Sequence, residues 1–179
     1  MKKALKDLVA KDELIMAQPF LDPELRPAYR IPPELTIWLN DKKNMPQYIP
    51  AEFLPKRYAA FAHGAAFAVD TQKFALPCVV KVSSSSAGDG VRICRSEQEL
   101  AEAKKTFAGM DVAIFVEEFI DVKHNFCIQF GISHDSGEIE MIGFNEQFID
   151  RRGEFLGGIV HPENPYPIVD EINDILKEQ

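Results

Sequence analysis

The 179-residue sequence predicts an α+β fold in which antiparallel hairpins are interleaved with helices. Three observations carry this. Two apolar runs, PCVVKV at 77–82 and VRIC at 91–94, flank the small-residue stretch SSSSAGDG at 83–90, the pattern of a hairpin with a long connection. Phe126, Ile128, Phe130 and Ile132 alternate with Cys127, Gln129, Gly131 and Ser133, the period of a half-buried strand. EIEMIGFNEQF then returns as its partner after the turn residues 134–137. Helical spacing appears between and after these hairpins. Ser96 and Glu99 form a capping box ahead of Leu100, Ala103 and Phe107, and Ile168, Val169, Ile172, Ile175 and Leu176 mark one face of a C-terminal amphipathic helix.

Taken in chain order, Leu5, Leu8, Val9 and Ile15 predict a short amphipathic helix over 2–15. Pro19, Pro23, Pro27, Pro32 and Pro33 predict an extended arm rather than core. The apolar ELTIWL leads into Asn40-Asp41-Lys42. The alanine-rich YAAFAHGAAFAV, 58–69, predicts a buried helix. Pro77 opens an apolar strand ending at Lys81 and Val82, and Val112–Val116 is a third apolar strand. VEEFI, 116–120, joins that strand to the alternating one. The sequence contains no internal repeat.

Composition narrows the function. Hydrophobic residues at 46% and charged residues at 27% describe a globular chain. A net charge of −8 provides no overall field for nucleic acid or an anionic membrane. An anionic ligand would need local lysines or backbone amides. Cys78, Cys94 and Cys127 form no CxxC pair and lie in apolar runs, so buried free thiols in a reducing cytoplasm are expected. The charged start lacks a signal-peptide core, and no apolar run approaches the ~18 residues of a membrane span. His63, His124, His134 and His161 show no metal-ligand spacing. Without a GxSxG elbow, the serines of 83–86 are poor nucleophile candidates.

Three segments carry chemistry. Small residues let backbone N–H groups approach a phosphate chain, serine hydroxyls add donors, and Lys81 supplies charge at the end of the preceding strand. On residue chemistry alone, 83–90 reads equally as a phosphate loop or a flexible connection. It is not a P-loop, since GxxxxGK[ST] is absent and the loop leads into a strand. Glu117 and Glu118 are either solvated charges or part of a hinge whose acids take up the amino and hydroxyl groups of a purine nucleoside. Lys42 alone reads as a surface lysine.

In order and spacing, NDK at 40–42, PCVVKVSSSSAGDGV at 77–91, SEQELAEA at 96–103 and VEEFI at 116–120 resemble the ATP-grasp superfamily. These are the ATP-dependent carboxylate–amine and carboxylate–thiol ligases and their biotin-carboxylase-like relatives. QFIDRRGEFLGG, 147–158, resembles the family's stretch after the hinge hairpin, and the resemblance covers roughly 31–165. It implies an ATP-grasp fold truncated at both ends. An N-terminal helix and proline-rich arm over 1–50 would lead to the first lysine, followed by the small lobe over 51–116 and an incomplete large lobe over 117–179.

Residue by residue, the resemblance implies that Lys42 and Lys81 contact ATP phosphates. Ser83, Ser84, Ser85, Ser86, Gly88 and Gly90 would belong to a mobile lid over them. Glu117 would accept from the adenine amino group, and Glu118, Phe119 and Ile120 would complete the hinge against the base. The family's ribose-binding glutamate is missing from Asp121-Val122-Lys123-His124-Asn125, which leaves Asn125 for a hydroxyl. Val82 replaces the usual proline.

The family's magnesium ligands, a late acid and a Glu-x-Asn pair on strands, have no counterpart. Glu171-Ile172-Asn173 fits the letters but lies in the expected C-terminal helix. The resemblance implies a cytoplasmic ligase that activates a carboxylate as acyl phosphate for attack by an amine or other nucleophile, with magnesium in the complete enzyme. The chain itself is expected to bind nucleotide without turnover. The alternative is a non-catalytic nucleotide-binding or assembly module completed by a partner chain. Homo-oligomerisation and the identity of the carboxylate and amine substrates stay open.

Overall fold

The computed structural model describes residues 25–26, 29, 31–85, 90–133, 135–160 and 163–177. The expected helix at 2–15 and Pro19, Pro23 and Pro27 lie outside them, as do His134 and His161. The first described helix, α1 (Pro33–Asn40), begins with proline at N1, where the ring's fixed φ suits the helix and its missing N–H is not needed. The proline-dense arm therefore ends in a helix. Pro33 is buried, whereas Leu35, Ile37, Trp38 and Leu39 are exposed.

Two single 3-10 turns, Met45–Gln47 and Ala51–Phe53, lead to β1 (Arg57–Phe61). The expected helix over 58–69 is corrected here: its first half is β1, and only Gly64–Ala68 is helical (α2). The break falls at His63, which caps α2 by accepting from the Ala66 N–H at 3.2 Å. Tyr58-Ala-Ala-Phe61 is apolar enough for either state, and pairing with a strand sixty residues on selects β.

The hairpin of β2 (Cys78–Val82) and β3 (Val91–Cys94) is present as predicted. After α3 (Glu97–Phe107), β4 (Ile114–Glu118) completes an antiparallel sheet of order β1-β4-β2-β3. β4 lies two residues later than expected, so Glu117 and Glu118 belong to the strand. Ser96 Oγ accepts from the Glu99 N–H at 3.2 Å, and Glu99 reaches back to the Arg95 N–H at 2.6 Å rather than to the cap's own amide.

Strand alternation gives this sheet two chemically different faces. Cys78, Val80, Val82, Cys94, Ile114 and Val116 form the core with Phe67 of α2 and Leu100, Ala103 and Phe107 of α3. Gly64 brings α2 onto the end of α3, where its N–H donates to the Met110 carbonyl at 2.8 Å. Cys78 and Cys94 are free, buried and directly opposed across β2 and β3. The hydrogen bond between them and burial push the Cys94 thiol far above its usual range. Cys127 is only half-buried, unlike the expectation for it.

A second antiparallel sheet, order β5-β6-β7, comprises β5 (Phe126–Ile132), β6 (Ile139–Ile149) and β7 (Phe155–Ile159). The C-terminal helix α4 (Pro167–Lys177) packs on β6, with Val169 fully buried. Phe126 is covered by Tyr166 at 4.9 Å between ring centroids, but Phe130 and Ile132 at the far end of β5 stay 50% and 64% exposed. The predicted half-burial of β5 thus holds only at its beginning.

The β6–β7 turn reaches back to the first sheet. The Ile93 N–H donates to the Arg152 carbonyl at 3.2 Å, and Arg95 Nη1 donates to the Arg151 carbonyl at 2.8 Å. Gly153, at φ 93°, lies against Val91 and Ile93. A cleft is left between the two sheets.

Candidate functional site

The second face of the first sheet forms one wall of that cleft. Val79 and Lys81 of β2 and Val91 and Ile93 of β3 line a cavity of about 600 Å³, with Ile149, Asp150 and Gly153 on the opposite side. Glu118, Phe119, Ile120 and Asn125 close it along the chain that links the sheets. Val79, Val91 and Ile93 make an apolar floor, against which Gly153 lies at Val91 and Ile93.

Charge is concentrated at one end of this floor. The register places Arg57 of β1 opposite Glu117 of β4, and Glu117 opposite Val79. Arg57 donates from both Nε (3.0 Å) and Nη2 (2.9 Å) to Glu117 Oε1. Lys81 Nζ lies 2.9 Å from Oε2 of the same carboxylate. The Arg57 guanidinium sits 3.8 Å from the centroid of the Phe115 ring. Glu117 is only 5% exposed, so its two cationic partners meet the requirement that a buried charge be paired.

The NDK segment docks on the small-residue loop. The Lys42 N–H donates to the Ser83 carbonyl at 2.8 Å, and Lys42 Nζ reaches the Ser85 carbonyl and Oγ at 3.0 and 3.1 Å. Burial, then the nearby Lys81 ammonium, hold the Lys42 ammonium below its ordinary range. Asp41 is pushed up by burial, but hydrogen bonds from Lys43 and Ser83 outweigh this and leave its carboxyl below the usual range. Lys42, Arg57, Lys81 and Glu117 share a cavity of about 180 Å³ next to the cleft. Three cations against one carboxylate leave two excess positive charges there, a locally positive field on a net-acidic chain that favours an anion.

Of the residues singled out in the sequence, Lys42, Lys81, Ser83, Ser85 and Glu117 therefore meet at one place. Ser84 is exposed beside them, while Ser86 and Gly88 lie outside the described residues. Glu118, Phe119, Ile120 and Asn125 line the cleft, although Glu118 Oε1 also accepts from the Lys56 N–H at 2.7 Å. Arg57 is the site residue that sequence reasoning misses. It belongs to no motif, and its partnership with Glu117 follows only from the β1–β4 register.

Gly90 closes the loop at φ 83°, a conformation other residues adopt only with strain. A Cβ there would lie 2.3 Å from Val82 Cγ2 and 3.2 Å from Ser85 Cβ. Gly90→Ala is expected to cost roughly 2 kcal/mol, read as a Tm lower by roughly 4–8 °C in a thermal melt.

Residues 55–179 match the family model described as L-aspartate–L-methionine ligase, ATP grasp. Among solved structures, N5-carboxyaminoimidazole synthetase from Staphylococcus aureus, complexed with ADP, superposes with TM-score 0.66 at 14% identity. That match covers 98% of this chain and 48% of the other. An L-amino acid ligase from Bacillus licheniformis gives TM-score 0.59 at 18% identity, over 97% of this chain and 47% of its own. D-alanine–D-alanine ligase from Helicobacter pylori gives 0.53 at 20% identity, over 85% and 49%. The chain spans about half the length of these structures, and at such identities the similarity is one of fold.

Proposed function

The chain belongs to the ATP-grasp family described as L-aspartate–L-methionine ligase, and from that premise we propose that its cleft is an ATP site serving carboxylate activation. One observation carries this reading: the Lys81–Glu117 pair stands where an apolar floor meets a cavity holding two excess positive charges. A purine ring lies on Val79, Val91 and Ile93, its amino group donating to Glu117. Phe119 and Ile120 border the base, and Asn125 meets a ribose hydroxyl. Lys42 and Lys81 take the phosphates, together with amides and hydroxyls of the 83–90 loop. The boundary expected between the lobes, at 116/117, cuts β4, whose last residues Glu117 and Glu118 still pair within the first sheet.

The magnitudes agree. Two charge-assisted bonds contribute roughly 1.5–3 kcal/mol each, and micromolar affinity needs about 8 kcal/mol. Burial of a purine on the apolar floor supplies the remainder. That a fold relative is complexed with ADP supports nucleotide binding.

In the complete reaction the γ-phosphoryl group passes to a carboxylate. The resulting acyl phosphate is attacked by an amine, and inorganic phosphate leaves. The family description makes both partners amino acids. The family's magnesium ligands are not matched: Glu171 and Asn173 sit on helix α4, not on strands, and no group of three or more His, Cys, Asp or Glu able to hold a metal occurs among the described residues. This chain is proposed to bind the nucleotide without turning it over.

Saturating MgATP, at about 100 times Kd, is expected to stabilise the chain by about 2.7 kcal/mol, raising Tm by roughly 5–10 °C. An unchanged melt at millimolar MgATP would remove the nucleotide reading. A second reading, an assembly module completed by a partner chain, is favoured by the apolar surface on the β5–β7 sheet, where Ile132, Ile142 and Leu156 are 64%, 71% and 69% exposed. Concentration-dependent self-association during sizing, without a nucleotide shift, would select it.

A further inference from the structure

We infer that Arg57 is a positioning residue that sets the base preference of the site, by clamping the carboxylate that reads the base. The inference rests on the nucleotide reading given above and names the residue on which its specificity depends.

Arg57 uses two nitrogens of its fork on a single oxygen, Glu117 Oε1, at 3.0 and 2.9 Å. Lys81 Nζ takes Oε2 at 2.9 Å. An ionised carboxylate offers roughly four acceptor positions, so three donors leave about one free. With Oε1 anchored by the rigid fork and Oε2 by Lys81, the carboxylate is held at both oxygens, which sets the direction of the remaining acceptor position on Oε2. A single ammonium, which is a point charge on a flexible stem, cannot do this.

Arg57 is itself held. Its guanidinium lies 3.8 Å from the centroid of the buried Phe115 ring, and Phe115 is the next residue along the same face of β4. The row Arg57–Glu117–Val79–Ile93 runs in register across all four strands, so the clamp stands directly beside the apolar floor.

A fixed carboxylate acceptor discriminates between purines. Adenine presents an amino donor at its six-position, whereas guanine presents a carbonyl acceptor there. The first completes the last acceptor position of Glu117, and the second meets it lone pair to lone pair. Without Arg57, the carboxylate rotates about its terminal torsion toward Lys81, and the contrast is lost while the phosphate lysines remain.

The test compares Kd for MgATP and MgGTP, by calorimetry on the full 179-residue chain, in wild type, Arg57→Gln, Arg57→Lys and Glu117→Gln. The wild type is expected to prefer ATP. Arg57→Gln is expected to lower the ATP-to-GTP preference at least about tenfold and Arg57→Lys at least about threefold, with ATP affinity itself falling less than the preference in each. A preference within about twofold of wild type in a folded Arg57 variant overturns the inference, and Arg57→Lys serves if the glutamine variant does not fold. A purely structural role would lower both affinities together and leave their ratio unchanged. If wild type binds neither nucleotide, or Glu117→Gln keeps the full preference, the underlying reading of the site fails. If Glu117→Gln loses the preference and the Arg57 variants keep it, only the role of Arg57 fails.

Discussion

Lys81→Ala is expected to weaken MgATP binding at least about a hundredfold, the equivalent of about 2.8 kcal/mol. Two effects add. The phosphates lose a charge-assisted bond of roughly 1.5–3 kcal/mol. The Glu117 carboxylate, 5% exposed and held by Arg57 alone, then faces the phosphate chain with one cation fewer to screen it. The apo fold should survive, since Arg57 still pairs the carboxylate and Lys81 is not part of the core cluster. Calorimetric titration gives the affinity, and a melt without nucleotide gives the stability. An affinity unchanged within about threefold would take Lys81 out of the site.

Gly64→Ala is expected to cost roughly 4 kcal/mol, a large part of the 5–15 kcal/mol that a domain usually has. A Cβ at Gly64 would lie 1.8 Å from the Phe107 carbonyl oxygen, 2.8 Å from its carbon and 3.1 Å from the Met110 carbonyl oxygen. All three atoms are backbone, so no rotamer change relieves the overlap. The end of α3 must move away from α2, which opens the core cluster holding Phe67 and Phe107, 0% and 1% exposed. The Gly64 N–H bond to Met110 is lost with it. Gly109→Ala is the control, because nothing lies within 4 Å of the place its methyl group would take. A urea midpoint for Gly64→Ala equal to that of the control would show that the helices tolerate the separation.

The parts of the fold legible in the sequence are those set by local pattern. The 77–94 hairpin, the capped helix beginning after Ser96, the β5–β6 hairpin and the C-terminal helix each carry their period or cap within a dozen residues. β1 is not legible. Tyr58-Ala-Ala-Phe61 has no decisive period, and its strand state comes from pairing with Phe115 and its neighbours far along the chain. Helix α1 has its signal in Pro33 at N1, but five prolines in fifteen residues argue for an extended arm. At the site, the lysines and Glu117 are legible because they stand in ordered motifs. Arg57 is not, because nothing in KRYAAF marks a residue whose partner is chosen by register. The acids of VEEFI read from sequence as following the strand, and the structure puts both within it.

The opposed thiols of Cys78 and Cys94 make the first sheet its own reporter. Sealed beneath α2 and α3, with the Cys94 thiol pushed up and the Cys78 thiol drawn down by the hydrogen bond between them, they meet an alkylating reagent only when that core opens. Cys127, half-buried on β5, reports on the more exposed second sheet. A mass spectrum taken over time therefore contains two separate clocks, one for each half of the cleft. A ligand bridging the halves would slow both.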